Sequence, residues 1–247
     1  MKARVDAGSD VAMIGAWDAG RNALPFKATG LADQLQMLER DAAEGRLFLI
    51  HTGSDGGGPV DVYVDESAPA SLHARITPIA ENVLLSVPSG ALIVGGVDDY
   101  RSPKARLTGP DSVIQIPAGD YALRCFVAND AEQEPSSEQR LRDALPAADI
   151  KYYDRINSRG CIAGALMWLL FPLLAVVIDW RIALAITAAA FLSFFPLRAW
   201  SLKRNARYQR LDAIIPRTRL EHQDPEFVFE LTRVAAVSGL KGMSVTL

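Results

Sequence analysis

Over its first 130 residues this chain alternates polar and apolar positions in short runs; past residue 160 it turns to long runs without charge. The early runs are strand-like. Val11-Ala12-Met13-Ile14-Gly15 is a short apolar run, whereas Leu31, Leu35 and Leu38 with Ala42 follow helical spacing over 31–44, and Gly45 stops that helix. Residues 46–51 predict a strand, 52–59 carry Gly, Ser, Asp and Pro turn chemistry, and 60–65 alternate as a half-buried strand does. Together these predict a β-hairpin. Further strands are predicted over 74–77, 83–87, 91–94, 112–116 and 121–127, separated by Pro88-Ser89-Gly90, Gly95-Gly96, Thr108-Gly109-Pro110 and Pro117-Ala118-Gly119-Asp120. Seven or eight short strands with one early helix predict an antiparallel sandwich or partial barrel over residues 1–130. The polar stretch 131–148 reads as a linker or short surface helix, so 131–159 forms a juxtamembrane connection to the segment that follows.

Residues 160–178 are 19 positions without a charge and residues 182–197 are 16, with only Asp179-Trp180-Arg181 between them. As helices they reach about 28 and 24 Å, close to the ~30 Å hydrocarbon core of a bilayer. They predict a two-helix transmembrane hairpin over 160–199. Lys151, Arg155 and Arg159 precede it, and Arg198, Lys203, Arg204, Arg207 and Arg210 follow. Positive flanks stay inside, which puts both termini in the cytoplasm and the turn outside. Arg159, Trp180, Arg181, Arg198 and Trp200 sit where side chains anchor at the interface. Gly160 and Gly164 form a GxxxG and Ala185 and Ala189 supply small residues, the chemistry of close helix packing or of a homo-oligomer through the hairpin. Pro172 and Pro196 are tolerable within membrane helices. Two alternatives are buried helices of a soluble protein and a hairpin that enters and leaves by one face. Neither apolar segment holds an ionisable residue, so the hairpin reads as an anchor rather than a transport path.

The last segment, 200–247, is predicted as a cytoplasmic basic stretch followed by a strand-like tail. Its run Phe227-Val228-Phe229-Glu230-Leu231-Thr232-Arg233-Val234 alternates. With both termini in one compartment it either pairs with an edge strand of the head, hiding that edge, or stays loose.

Charge sharpens this division. Residues 1–150 carry 13 Lys+Arg against 22 Asp+Glu, a net of −9, and residues 151–247 carry 13 against 7, a net of +6. An acidic head excludes nucleic acid as the expected partner, since phosphate binding needs concentrated Lys and Arg. No apolar run follows Met1-Lys2-Ala3-Arg4, so no signal peptide is predicted. Cys125 and Cys161 are the two cysteines. They read as reduced thiols, Cys125 in a strand core and Cys161 as a small packing residue or an acylation site. Alanine-rich, arginine-over-lysine usage points to a GC-rich bacterial genome, so the expected membrane is a bacterial inner membrane.

Candidate chemistry is sparse. Gly53-Ser54-Asp55-Gly56-Gly57-Gly58 lacks the lysine and the following helix of a phosphate loop and reads as a hairpin turn. Asp61, Tyr63 and Asp65 share one strand face, and Asp98 and Asp99 share a loop. Paired carboxylates can hold a cation or work as acid and base, and equally make a strand's wet face. His51, His73 and His222 have no ligand spacing; His51 near Asp55 offers a base, but no serine elbow accompanies it. No catalytic constellation and no cofactor are predicted.

Gly45-Arg46-Leu47-Phe48, Val62-Tyr63-Val64-Asp65, Val87-Pro88-Ser89-Gly90 and Ile116-Pro117-Ala118-Gly119-Asp120-Tyr121-Ala122-Leu123-Arg124 resemble small bacterial β-domains of the competence-protein-J-like nuclease inhibitors and immunity-type proteins. The resemblance covers about 80 residues of turn-and-strand phrasing. It implies a β-domain that binds a protein, and it carries over no site residue; those inhibitors are typically soluble, so the hairpin departs from their pattern. The expected function is therefore a non-enzymatic inner-membrane protein whose cytoplasmic β-domain binds a protein partner, in an immunity or regulatory role. The alternative is a membrane-anchored enzyme or ligand- or metal-binding module using the acidic residues.

Overall fold

A computed structural model describes residues 1–8, 12–20, 31–53, 58–97, 100, 113–129, 137–177 and 179–247. The chain divides into two compact units, Met1–Glu134 with Gln223–Leu247, and Pro135–His222.

The first unit holds two five-stranded sheets. One runs in the order β1 (Lys2–Asp6), β4 (Pro59–Val64), β9 (Phe227–Val234), β8 (Gly119–Ala128), β5 (Ile76–Val87). The other runs β10 (Ser244–Thr246), β3 (Leu47–His51), β2 (Met13–Asp18), β6 (Ala91–Gly96), β7 (Val113–Gln115). They face each other across one core in which Ile14, Phe48, Ile50 and Leu92 of the second sheet meet Val60, Val62, Leu123 and Phe229 of the first. The Phe48 and Phe229 rings meet edge to face at 5.6 Å. Helix α1 (Leu31–Ala43) lies over the outside of the second sheet, packing Leu38 and Ala42 on Trp17, Leu47 and Leu49. Gly45 ends it at φ +69°, a conformation glycine adopts without penalty.

Three expectations change. The strands predicted as a hairpin, β3 and β4, belong to different sheets. Both strands are buried nearly throughout, which periodicity cannot distinguish from a paired hairpin. The sheets are mixed rather than antiparallel, because β9 runs parallel to β4 and β10 parallel to β3. And the tail strand is neither at an edge nor loose. β9 sits in the middle of the first sheet, paired on one side with β4 (Val62↔Phe229) and on the other with β8 (Cys125↔Phe229).

Since β8 and β9 are antiparallel neighbours, the second unit is an insertion in what would otherwise be the turn of a β-hairpin. The chain leaves at Ala128 and re-enters at Glu226, whose carbonyl accepts the Ala128 N–H at 3.0 Å.

The second unit is helical: α3 (Ser137–Ala144), α4 (Ala147–Val177), α5 (Trp180–Arg204) and α6 (Ala206–His222). Asp179 caps α5, its carboxylate accepting from the Arg181 N–H at 2.8 Å. Helices α4 and α5 run antiparallel, joined by Arg198 donating to the Ile156 carbonyl (3.1 Å) and Asn205 donating to the Tyr152 hydroxyl (2.8 Å). Among the described residues one helix, Trp180–Arg204, is long and apolar enough to cross a membrane, where the sequence predicts two. Helix α4 spans both the charged stretch Asp149 to Arg159 and the uncharged run that follows it.

Candidate functional site

The outward face of the first sheet holds two buried acids, each with its own cations. Strand alternation sends Val60, Val62 and Val64 of β4 into the core and Asp61 and Tyr63 outward. Asp61 is nevertheless only 1% exposed, because β1 lies alongside and Arg4 is its register partner. Arg4 engages both carboxylate oxygens, Nη2 to Oδ2 at 2.8 Å and Nε to Oδ1, and the Lys2 ammonium stands 3.1 Å from Oδ2. Burial lowers the pKa of Arg4 and Lys2, but Asp61 beside them outweighs it and holds both above their ordinary values. Asp65 lies just past the strand at φ +54°, exposed, accepting the Arg233 N–H at 2.8 Å. The two acids thus serve different partners. Asp98 and Asp99 lie outside the described residues, and among those residues no group of three His, Cys, Asp or Glu side chains could hold a metal ion.

A second buried acid on this face, Glu230 of β9, is 4% exposed. It accepts the Ala68 N–H at 2.7 Å, stands 2.9 Å from His73 Nε2 of α2 (Ala70–His73), and meets Arg124 of β8 at 3.2 Å. Phe126 completes the cluster, with Arg124 over its ring at 5.0 Å and His73 edge-on at 5.3 Å. Glu230 was not singled out from sequence; the available signal was a lone carboxylate in the apolar run 227–231.

Two more acids are buried elsewhere in the head. Asp41 accepts from Arg46 (2.6 Å) and the Tyr100 hydroxyl (2.7 Å). Asp18 accepts from the Ser89 N–H (2.7 Å) and hydroxyl (2.6 Å). Beside them a cavity of about 500 Å³ is lined by Asp18, Gly20, Arg46, Ser86, Pro88 and Ser89. His51 pairs with Glu39 at 2.9 Å, which also accepts the Ser244 hydroxyl at 2.6 Å and so helps hold β10. Its proposed neighbour Asp55 lies outside the described residues.

Cys125 points into the core, and burial pushes its thiol well above the ordinary cysteine pKa. The thiolate being the nucleophile, Cys125 in a Cys161→Ser chain is expected to resist a maleimide in the native protein and to react on unfolding. Equal rates in the two states would put the thiol at the surface.

In the helical unit, Arg198 crosses Gly160, where any Cβ would overlap its guanidinium. Arg159 is exposed, as are Trp180 and Trp200, each with an arginine over its ring: Arg181 at 5.5 Å and Arg204 at 4.1 Å. Gly164 lies within α4. Ala185 and Ala189 lie on the exposed side of α5, whereas Ala183 and Thr187, one turn apart, are buried. Tyr153 and Tyr208 stack at 5.5 Å, and Tyr153 donates to Asp212 at 2.8 Å. Burial, with that carboxylate, pushes the Tyr153 phenol up to about 12.

These features define a mixed β-sandwich head with a helical unit looped out of one strand pair. No protein-family profile matches the chain, and no curated protein does. Two solved structures are similar to it. One, described as crocagin biosynthetic gene J, is 20% identical at a TM-score of 0.38, covering 52% of this chain and 77% of that one. The other is ComJ, inhibitor of the DNA-degrading activity of NucA, from Bacillus subtilis, 10% identical at a TM-score of 0.32, covering 55% of this chain and 83% of that one.

Proposed function

We propose that this chain is a non-enzymatic inner-membrane protein whose β-sandwich binds a protein partner at the bilayer surface, with residues 160–197 as a two-helix transmembrane anchor. The observation that carries this reading is the pairing of β8 with β9. A segment that leaves and rejoins one sheet at adjacent residues makes an even number of complete crossings. If α5 crosses, a second helix must cross too, and α4, at 31 residues or about 46 Å, has the length. Surface chemistry supports the same reading. Ile162, Leu166, Leu169 and Val176 on α4, and Ile182, Leu184, Leu192 and Leu197 on α5, are exposed, an apolar expanse that water does not favour. Both termini belong to the head unit, and the basic flanks favour the cytoplasm as its compartment.

Protein binding is favoured over catalysis because Asp18, Asp41, Asp61 and Glu230 are each taken up by structural donors. The role we infer for that contact is immunity or regulation; ComJ's description gives inhibition for that protein against NucA. A ligand-binding head is the second reading, resting on the cavity beside Asp18 and Arg46.

The full chain is expected to stay in the membrane fraction through alkaline carbonate and to enter detergent. A cysteine placed at Trp180 in a chain lacking Cys125 and Cys161 is expected to react with an impermeant maleimide from outside, and one placed at Leu247 is not. Release by carbonate, or labelling at 247, overturns the anchor. Recovery of no protein partner in mild detergent, together with turnover of a small molecule by the purified protein, overturns the binding role.

A further inference from the structure

The helical unit uses some of its cations internally and leaves others bare. Arg207 pairs with Asp149 (2.6 Å), Arg217 with Glu221 (3.2 Å) and Arg219 with Asp154 (2.7 Å), while Arg198 is held by the Ile156 carbonyl. Lys151, Arg155, Arg159, Lys203 and Arg204 are exposed and have no carboxylate partner among the described residues. The first three recur every fourth residue, which puts them in one stripe of α4, about 6 Å per step. The Arg198–Ile156 and Asn205–Tyr152 bonds set the level of α5 against α4, so Lys203 and Arg204 come alongside residues 152–156. Five unneutralised charges therefore collar one end of the helix pair, the end at which both apolar segments stop.

Mutual repulsion among five cations within about a Debye length calls for counter-charge, and the nearby carboxylates are already engaged, Asp149 by Arg207, Asp154 by Arg219 and Asp212 by the Tyr153 hydroxyl. The polar layer of a bilayer is roughly 6 Å deep on each side. Arg159, bordering the apolar segment, and Arg155, one step below, fall within it; Lys151 lies just beyond. Arg204 stacks on Trp200, an aromatic exposed at the same border.

We propose that this collar binds the phosphates of anionic phospholipids in the leaflet on the side of both termini, giving the anchor a lipid preference. The proposal rests on the reading of 160–197 as membrane-spanning. The occupant is a lipid headgroup rather than free phosphate, because the stripe ends on the apolar segment that the acyl chains would cover.

The test places the full chain in phosphatidylcholine vesicles containing a minor fraction of brominated phosphatidylglycerol, or of brominated phosphatidylcholine, and follows quenching of tryptophan fluorescence. Each basic residue near an anionic surface contributes about fivefold in affinity. Brominated phosphatidylglycerol is expected to quench several-fold more effectively, and the preference to disappear in high salt and in the K151Q/R155Q/R159Q variant, whose quenching by brominated phosphatidylcholine stays unchanged. Equal quenching by the two lipids overturns the lipid preference and leaves the anchor standing. Loss of the preference on adding inorganic phosphate at constant ionic strength also overturns it, making the collar a general phosphate site. Quenching by neither lipid removes the anchor and the preference together.

Discussion

A chain ending at Glu134 is expected to be unfolded, while one in which a short Gly/Ser linker replaces residues 135–222 is expected to fold as a soluble sandwich. In the order β1-β4-β9-β8-β5, removing β9 cuts the first sheet into two two-stranded pieces, and an isolated strand pair is marginal in water. The cut also takes Phe227, Phe229 and Leu231 from the core, each no more than 1% exposed. At about 1.5–3 kcal/mol per large apolar side chain, that is roughly 5–9 kcal/mol, comparable with the whole stability of an ordinary domain at about 5–15 kcal/mol. Restoring residues 223–247 through the linker returns β9 to its slot beside β8, as a β-hairpin connection would. Circular dichroism and urea titration check both halves. A cooperative transition in the 1–134 chain would mean that β4 and β8 close the sheet without β9. In the full chain the same topology orders assembly: the head cannot complete its first sheet until the helical unit has been synthesised and β9 has followed it.

What could be read from the sequence divides along sequence separation. The strands over 46–51, 60–65, 91–94 and 121–127 and the helix over 31–44 are close to those observed, and the helices read over 160–178 and 182–197 fall on longer ones that begin at Ala147 and Trp180, because periodicity and turn residues are local signals. Pairing is not local. Nothing in the alternation of 227–234 states that its partners are residues 60–64 and 120–127, and a glycine-rich stretch between two strands does not state that they pair. Lys2–Asp6 carries two cations and an acid in five residues and looks unlike a strand; it becomes one because Arg4 and Lys2 supply what the buried Asp61 needs. For the same reason Asp61 and Asp65 looked equivalent in the sequence. Their difference is made by β1, a strand some 55 residues away in the chain.

That difference has a measurable size. In the linked head, Glu230→Ala and Asp61→Ala are each expected to cost about 3 kcal/mol, and Asp65→Ala to change little. Removing one member of a buried ion pair costs roughly 3–5 kcal/mol. Arg124, His73 and Lys2 are partly exposed, and water compensates them in part. For Glu230 an orphaned Ala68 N–H adds about 1–3 kcal/mol, which keeps the sum near 3 despite that compensation. Glu230→Gln retains an acceptor for Ala68 and loses only the charge, so it should fall between wild type and Glu230→Ala. Asp65 accepts a single bond at the surface from the Arg233 N–H, which water can replace. Urea midpoints with an unchanged slope check the order. Equal midpoints for Asp61→Ala and Asp65→Ala would mean that the Arg4–Asp61 pair does not join β1 to the sheet, and that the outward face of β4 is open to solvent and to ligands after all.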